Sequence, residues 1–290
     1  MQKSKIFIQA YSLLPFMVDG TMVDALKIAK DVGYEGVQFM AGAFYGQDAK
    51  KLRAELDAIG MQAVSTHLMA EPDDAMLTFC ETLGLKSVHA ELDHFEDRDG
   101  ALRAAEKMNA MGKALKAHGM KYVYHNHTFE FGKADGKYLH EIMIENTDPD
   151  TVGFELDVGW ATISGVDCAA YIKKHAGRFF TIHFKEATRN DVAEAMGEVM
   201  MELGKAAAAQ GIDISKGFPE DIHVIAKIAS KTIPASQWNG KLGEGIVDWK
   251  AVVDAAEAQG CVGYISEREY DYLGDMLGCI KEDYAFMASL

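Results

Sequence analysis

Tyr122-Val-Tyr-His-Asn-His-Thr-Phe-Glu-Phe131 begins as a strand and ends in residues that bind metal or move protons. Tyr122, Val123 and Tyr124 favour extended backbone. His125 and His127, two apart on a strand, project to one face. Taken alone, the pair is compatible with a hydrogen-bonded polar turn. Other strands end the same way, and that repetition decides the reading.

The pattern runs in both directions from this stretch. Upstream, Ile6–Ala10, Gly36–Phe39, Met61–His67 and Leu85–Ala90 read as four strands. Helices between them open at Asp19-Gly-Thr21, around Ala49, at Asp73 and near Gly100, and stop at Gly33, Gly60, Gly84 and Gly119. Downstream come a helix from Lys137 to Glu145, a strand at Val152–Asp157 and a helix near Asp167–Lys174 that ends at Gly177. A strand at Phe179–His183, a helix from Val247 to Gln259 ended by Gly260, and a strand at Val262–Glu267 follow. A last helix runs roughly from Leu273 to Met287. Alternating strands and helices give a parallel sheet with right-handed crossovers. Eight such units in 290 residues predict a single-domain (β/α)8 TIM barrel over residues 1–290. An open dinucleotide-binding sheet would need a Gly-rich loop after the first strand, and Ala10-Tyr-Ser-Leu-Leu14 has none.

One segment breaks the rhythm. Residues 187–246 are far longer than an ordinary βα loop. Val192, Ala195, Met196, Val199, Met200 and Leu203 recur there at helical spacing, and Ile222, Ile225 and Ile228 suggest a second helix. A helical insertion after the seventh strand is expected. At that end of a barrel it would pack on the helices, cover the active site or serve a homo-oligomer contact.

Composition narrows the function classes. With 49% hydrophobic and 25% charged residues the chain is ordinary and globular. A net charge of −15 and the lack of a Lys/Arg block argue against a nucleic-acid partner. Cys80, Cys168, Cys261 and Cys279 are scattered, which predicts reduced thiols in a cytoplasmic protein. Lys3 and Lys5 before Ile6–Val18 have the outline of a signal peptide. Gln9, Tyr11, Ser12 and Pro15 interrupt that run, and no small-x-small site follows. No stretch is long and apolar enough to span a bilayer, so no membrane partner is expected.

In such barrels chemistry gathers where strands end. The ends here read Gln38, His67, Glu91, His125, Asp157, His183 and Glu267. Parity places Gly153, Glu155 and Asp157 on one face, Thr181, His183 and Lys185 on another, and Gly263, Ile265, Glu267 and Glu269 on a third. A strand-end Asp alone is often a helix cap. His, Asp and Glu from neighbouring strands together suit a divalent cation, with Mn, Co, Zn or Fe favoured over Ca.

Longer motifs carry a resemblance over nearly the whole chain. They are Ile8-Gln-Ala-Tyr-Ser12, Gly33-Tyr-Glu-Gly-Val-Gln-Phe39, Tyr124-His-Asn-His-Thr-Phe-Glu-Phe131, Glu155-Leu-Asp-Val-Gly-Trp160, Ile182-His-Phe-Lys-Glu186, Gly243-Glu-Gly-Ile-Val-Asp-Trp249 and Ile265-Ser-Glu267. In these the chain resembles the sugar phosphate isomerase/epimerase family, the xylose-isomerase-like barrels that also include endonuclease IV and inosose dehydratase. The resemblance implies one divalent metal ion (Mn, Co, Zn or Mg, with Mn favoured) held by His125, Asp157, His183 and Glu267. His125 departs from the family, since sugar epimerases usually carry Glu there. Gln38 likewise stands where relatives with the His-Asn-His motif often carry Glu.

The implied chemistry is that of an isomerase, epimerase or lyase acting on a sugar, keto-sugar or cyclitol through a metal-bound enediolate. Glu267 is the first candidate for the base, with His67, His127, Glu155 and Glu130 as alternatives, and Lys185 would steady an oxyanion. Proton return gives isomerisation or epimerisation; loss of a β-substituent gives a lyase. The His125 departure favours the lyase branch. Two other classes follow from the same residues. One is a sugar- or partner-binding barrel without catalysis. The other, a metal-dependent endonuclease, conflicts with the acidic balance.

Overall fold

Eight parallel strands close into a barrel. They are Ile6–Gln9, Gly36–Phe39, Gln62–Leu68, Ser87–Ala90, Lys121–His125, Val152–Asp157, Phe179–Phe184 and Gly263–Ser266, and the first pairs with both the second and the eighth. The computed structural model describes residues 1–40, 47–190, 201, 204–212, 240–268 and 275–290. Most of the expected insertion, including its Met-rich stripe and Ile222, Ile225 and Ile228, lies outside the described residues.

The helices start and stop where local chemistry dictates. Thr21, Asp48, Asp73, Asp97, Asp167 and Asp248 each accept a first-turn backbone N–H through the side chain. At the other end Gly84 takes φ 76° and donates its N–H to the Cys80 and Glu81 carbonyls. That left-handed turn favours glycine and sends the chain into the next strand.

Alternation along each strand sorts the side chains. Outward residues such as Ile8, Val37, Tyr122, Phe154, Ile182 and Tyr264 join Leu26, Leu56, Leu83 and Ile280 of the helices in the main core. Burying each such side chain contributes roughly 1.5–3 kcal/mol. Inward residues form layers. Phe7, Val64 and Ile265 make an apolar plug where the strands begin. Gln38, Ser65, Glu155 and Thr181 form a polar layer above it, all nearly fully buried. His125, Asp157, His183 and Glu267 lie at the strand ends.

Several element boundaries differ from expectation. The first strand stops at Gln9, and Ala10–Met17 wind into a 3-10 helix. The helix expected from Lys137 begins at Leu139. Ahead of it, Lys133–Ala134 and Lys137–Tyr138 pair as a hairpin around Asp135 (φ 53°) and Gly136 (φ 78°), an Asp-Gly turn. A short helix, Val158–Ile163, follows the sixth strand directly, because Asp157 accepts the Trp160 N–H and caps it. The final helix spans Met276–Ser289, and Leu273 lies outside the described residues.

Candidate metal centre

Four side-chain atoms converge at the ends of the fifth to eighth strands. His125 Nε2 lies 3.4 Å from Asp157 Oδ2, and His183 Nδ1 lies 3.6 Å from the same oxygen and 3.4 Å from Glu267 Oε2. All four ligand atoms lie within 4.8 Å of one another. Each is buried, and none has a hydrogen-bond partner in the described structure. Buried polar atoms are seldom left unpaired without a reason. Bonds of about 2.0–2.2 Å to a four-coordinate ion set neighbouring donors about 3.4 Å apart, so the observed spacing fits a divalent metal. Two imidazole nitrogens and two carboxylate oxygens suit Mn, Co or Zn.

Each donor is aimed by something behind it. Asp157 divides its carboxylate: Oδ1 accepts the Trp160 N–H at 2.9 Å, which leaves Oδ2 for the site. His183 Nε2 donates to Gln38 Oε1 at 2.6 Å, which fixes the ring with Nδ1 facing the other donors. Gln38 Nε2 in turn donates to Ser65 Oγ at 2.9 Å and to both oxygens of Glu155 at 3.0 and 2.9 Å. The glutamine thus ties the polar layer to the ligand above it.

Lys185 sits between two of the donors. Its Nζ is 2.7 Å from Glu267 Oε2, outside hydrogen-bond geometry, and 3.4 Å from Asp157 Oδ2. The ammonium rides over the Trp160 ring at 4.6 Å from its centroid. A Cβ on Gly159 would approach Lys185 Cγ to 2.7 Å, so the Gly159-Trp160 pair makes the seat for this lysine. Burial pushes the Asp157 and Glu267 carboxyls up, but Lys185 and the neighbouring imidazoles hold both well below the ordinary range. Burial pushes the His183 imidazole's pKa down, but Glu155, Asp157 and Glu267 around it push it up to about 10, so three buried carboxylates face two cationic groups, His183 and Lys185, among the described residues. A divalent cation would balance the remaining negative charge.

The remaining candidates occupy distinct places. Glu155 lies in the layer below, 2% exposed, and accepts from Thr181 Oγ1 at 2.6 Å and pairs with His67 Nε2 at 3.0 Å. His67 is partly exposed, with its ring 5.0 Å from that of His125. His127 lies at the rim, its ring 5.0 Å from His125 and 6.1 Å from Trp160. Glu130 is fully buried and accepts from Tyr124 OH at 2.8 Å and from the His127 N–H at 3.0 Å, so it shapes this turn and does not face the site. Glu91 reaches towards His89 at 3.5 Å and borders a cavity of about 310 Å3 with Met69, Leu92 and Lys107. A larger cavity, about 540 Å3, opens at the other end of the barrel beside Phe7 and Lys121, away from all these residues.

Two supporting residues escape a reading of strand ends. Asn126 is fully buried; its Oδ1 accepts the Asp157 N–H at 3.0 Å and its Nδ2 donates to the Asp157 carbonyl at 3.3 Å. Its position between His125 and His127 was the available signal. His89 contacts the backbone of His125, and its parity with Glu91 was the signal there.

The profile of the xylose isomerase-like TIM barrel family matches residues 26–289, and the chain belongs to that family. The inosose dehydratase of Salmonella typhimurium is 34% identical over 112 residues, which cover 38% of this chain and 35% of that protein. The chain therefore spans about a third of the length of that curated relative. A crystal structure of a sugar phosphate isomerase/epimerase from Parabacteroides distasonis superposes with a TM-score of 0.71 at 20% identity, covering 98% of this chain and 93% of that one. The IolI protein with a bound zinc atom superposes with a TM-score of 0.65 at 12% identity, covering 98% and 97%. At those identities both share the fold.

Proposed function

We propose that this xylose isomerase-like barrel is a divalent-metal-dependent enzyme that enolises a keto-sugar or cyclitol. The observation that carries the reading is the convergence of four buried donor atoms from His125, Asp157, His183 and Glu267, none of them in a hydrogen bond in the described structure and two of them beside the Lys185 ammonium. A divalent ion held there would supply a Lewis acid for the carbonyl of a bound hydroxy-ketone.

The chain's own groups divide the remaining work. Glu267, at the end of the eighth strand and partly open to the mouth, takes the proton next to the carbonyl. Lys185, held against Glu267 and Asp157, steadies charge developing on the substrate oxygen. His67 and His127 stand on the side of the third and fifth strands and handle a proton there. Glu155 acts through His67, orienting its ring from below rather than touching substrate.

With His125 in place of a second carboxylate base, the elimination branch is favoured over simple ketose epimerisation. Similarity to a protein named inosose dehydratase supports the same branch. The test is to offer inososes, 3-keto-glycosides and free ketoses with Mn, Co or Zn while following solvent deuterium uptake and water or aglycone loss. Exchange accompanied by elimination supports the reading. Exchange with return of the proton moves it to epimerisation, and no exchange with any of them contradicts it.

A further inference from the structure

The ladder between the fourth and fifth strands is short. Main-chain pairing runs through Ser87 with Lys121 and Val88 with Tyr122, although the fifth strand continues to His125. Beyond Val88, side chains take over. The Tyr122 hydroxyl donates to the Ala90 carbonyl at 2.8 Å, and the His125 backbone N–H donates to His89 Nδ1 at 3.2 Å. We infer that His89 is a positioning residue that sets His125 in the metal centre by accepting its backbone N–H where the ladder to the fourth strand has ended.

The ring is well fixed for this task. His89 is 3% exposed, with His67 tilted against it at 4.8 Å and Tyr124 edge-on at 5.5 Å. A neutral imidazole has one lone pair and one N–H. The lone pair on Nδ1 receives the His125 N–H, so the proton lies on Nε2, which points towards Glu91 Oε1 at 3.5 Å. His89 therefore has no lone pair left for a cation. Its Nε2, though buried without a hydrogen-bond partner, carries the proton and lies outside the donor cluster, whereas His125 and His183 each turn a nitrogen towards Asp157. A fifth-strand histidine is longer than an aspartate, so a small rotation of its backbone moves Nε2 off the site. The bond to His89 opposes that rotation.

The functional half of this inference rests on the metal centre proposed above, and the test separates the two. His89→Leu removes the acceptor; His89→Asn restores it, because Asn Oδ1 falls near the place of His Nδ1. Amide hydrogen exchange at His125 reads the bond without any metal, and Co(II) titration followed by its visible spectrum reads the site. Expected in His89→Leu are faster exchange at His125, Co(II) affinity lower by about 10–100-fold and an altered spectrum. His89→Asn returns all three towards wild type. Unchanged exchange in His89→Leu, or no rescue by His89→Asn, overturns the positioning role. Failure of wild type to bind Co(II) overturns the metal reading and leaves only the structural bond, decided by exchange.

Discussion

Asn126 holds both backbone groups of Asp157: its Oδ1 accepts the Asp157 N–H at 3.0 Å and its Nδ2 donates to the Asp157 carbonyl at 3.3 Å. The side chain thus extends the pairing of the fifth and sixth strands beyond His125 and Glu155, where the main-chain register ends. Replacing Asn126 by Leu strands a buried N–H and carbonyl, at about 1–3 kcal/mol each in the worst case. The expected outcome is a lower urea midpoint together with weaker Co(II) binding, both measurable on one preparation. Asn126→Asp keeps the acceptor but sets a carboxylate against a carbonyl, and should lose metal affinity as well.

Lys185 gives a prediction of opposite signs. Its ammonium lies beside two of the four donors, so it repels an incoming cation while it favours charge on the substrate. Lys185→Met is expected to bind Co(II) at least as tightly as wild type. Deuterium exchange into the productive ketose should fall about 100-fold or more. Loss of metal together with exchange would make Lys185 a structural support only.

Arg268, next to Glu267, forms a buried pair with Asp283: Nε lies 2.9 Å from Oδ2 and Nη2 lies 2.6 Å from Oδ1. Both side chains are 1% exposed. Removing the carboxylate takes two hydrogen bonds and their opposite charge from a buried guanidinium, which costs about 3–5 kcal/mol. Asp283→Ala should therefore unfold at markedly lower urea, measured by circular dichroism, whatever metal is supplied.

His140 predicts how stability responds to acid. It is fully buried, with Nδ1 2.9 Å from the Tyr171 hydroxyl. Burial, aided by His175 and Arg178 and opposed by Glu141, holds its pKa down at about 3. In the unfolded chain it titrates near 6.5, so the unfolded state takes up the proton first. Its contribution is constant above that value and falls by up to about 1.4 kcal/mol per pH unit as pH drops towards 3. Between pH 7 and 5 the His140→Gln variant should lose about 2 kcal/mol less unfolding free energy than wild type. Equal losses in both proteins would contradict the assignment.

Much of this was legible in the chain because strands sort residues by parity. Gly153, Glu155 and Asp157 face inward together, and so do Thr181 and His183, which is why the strand ends pointed to one site. Asp157 satisfies both readings of a strand-end aspartate, since one oxygen caps a helix and the other faces the donors. Legibility failed where a residue's partner is a backbone atom distant in sequence. His89 and Asn126 act on the main chain of His125 and Asp157, and no periodicity marks such a bond. The Asp135-Gly136 hairpin was missed because two-residue strands carry no alternation to detect.

The central claim is that His125, Asp157, His183 and Glu267 hold one divalent ion. Elemental analysis of the purified protein and of Asp157→Ala, each after incubation with Mn or Co and removal of excess, tests it most directly. The account predicts about one ion per chain in wild type and much less in the variant, with both proteins folded by circular dichroism. No bound ion in wild type, or equal metal in the two, would contradict it.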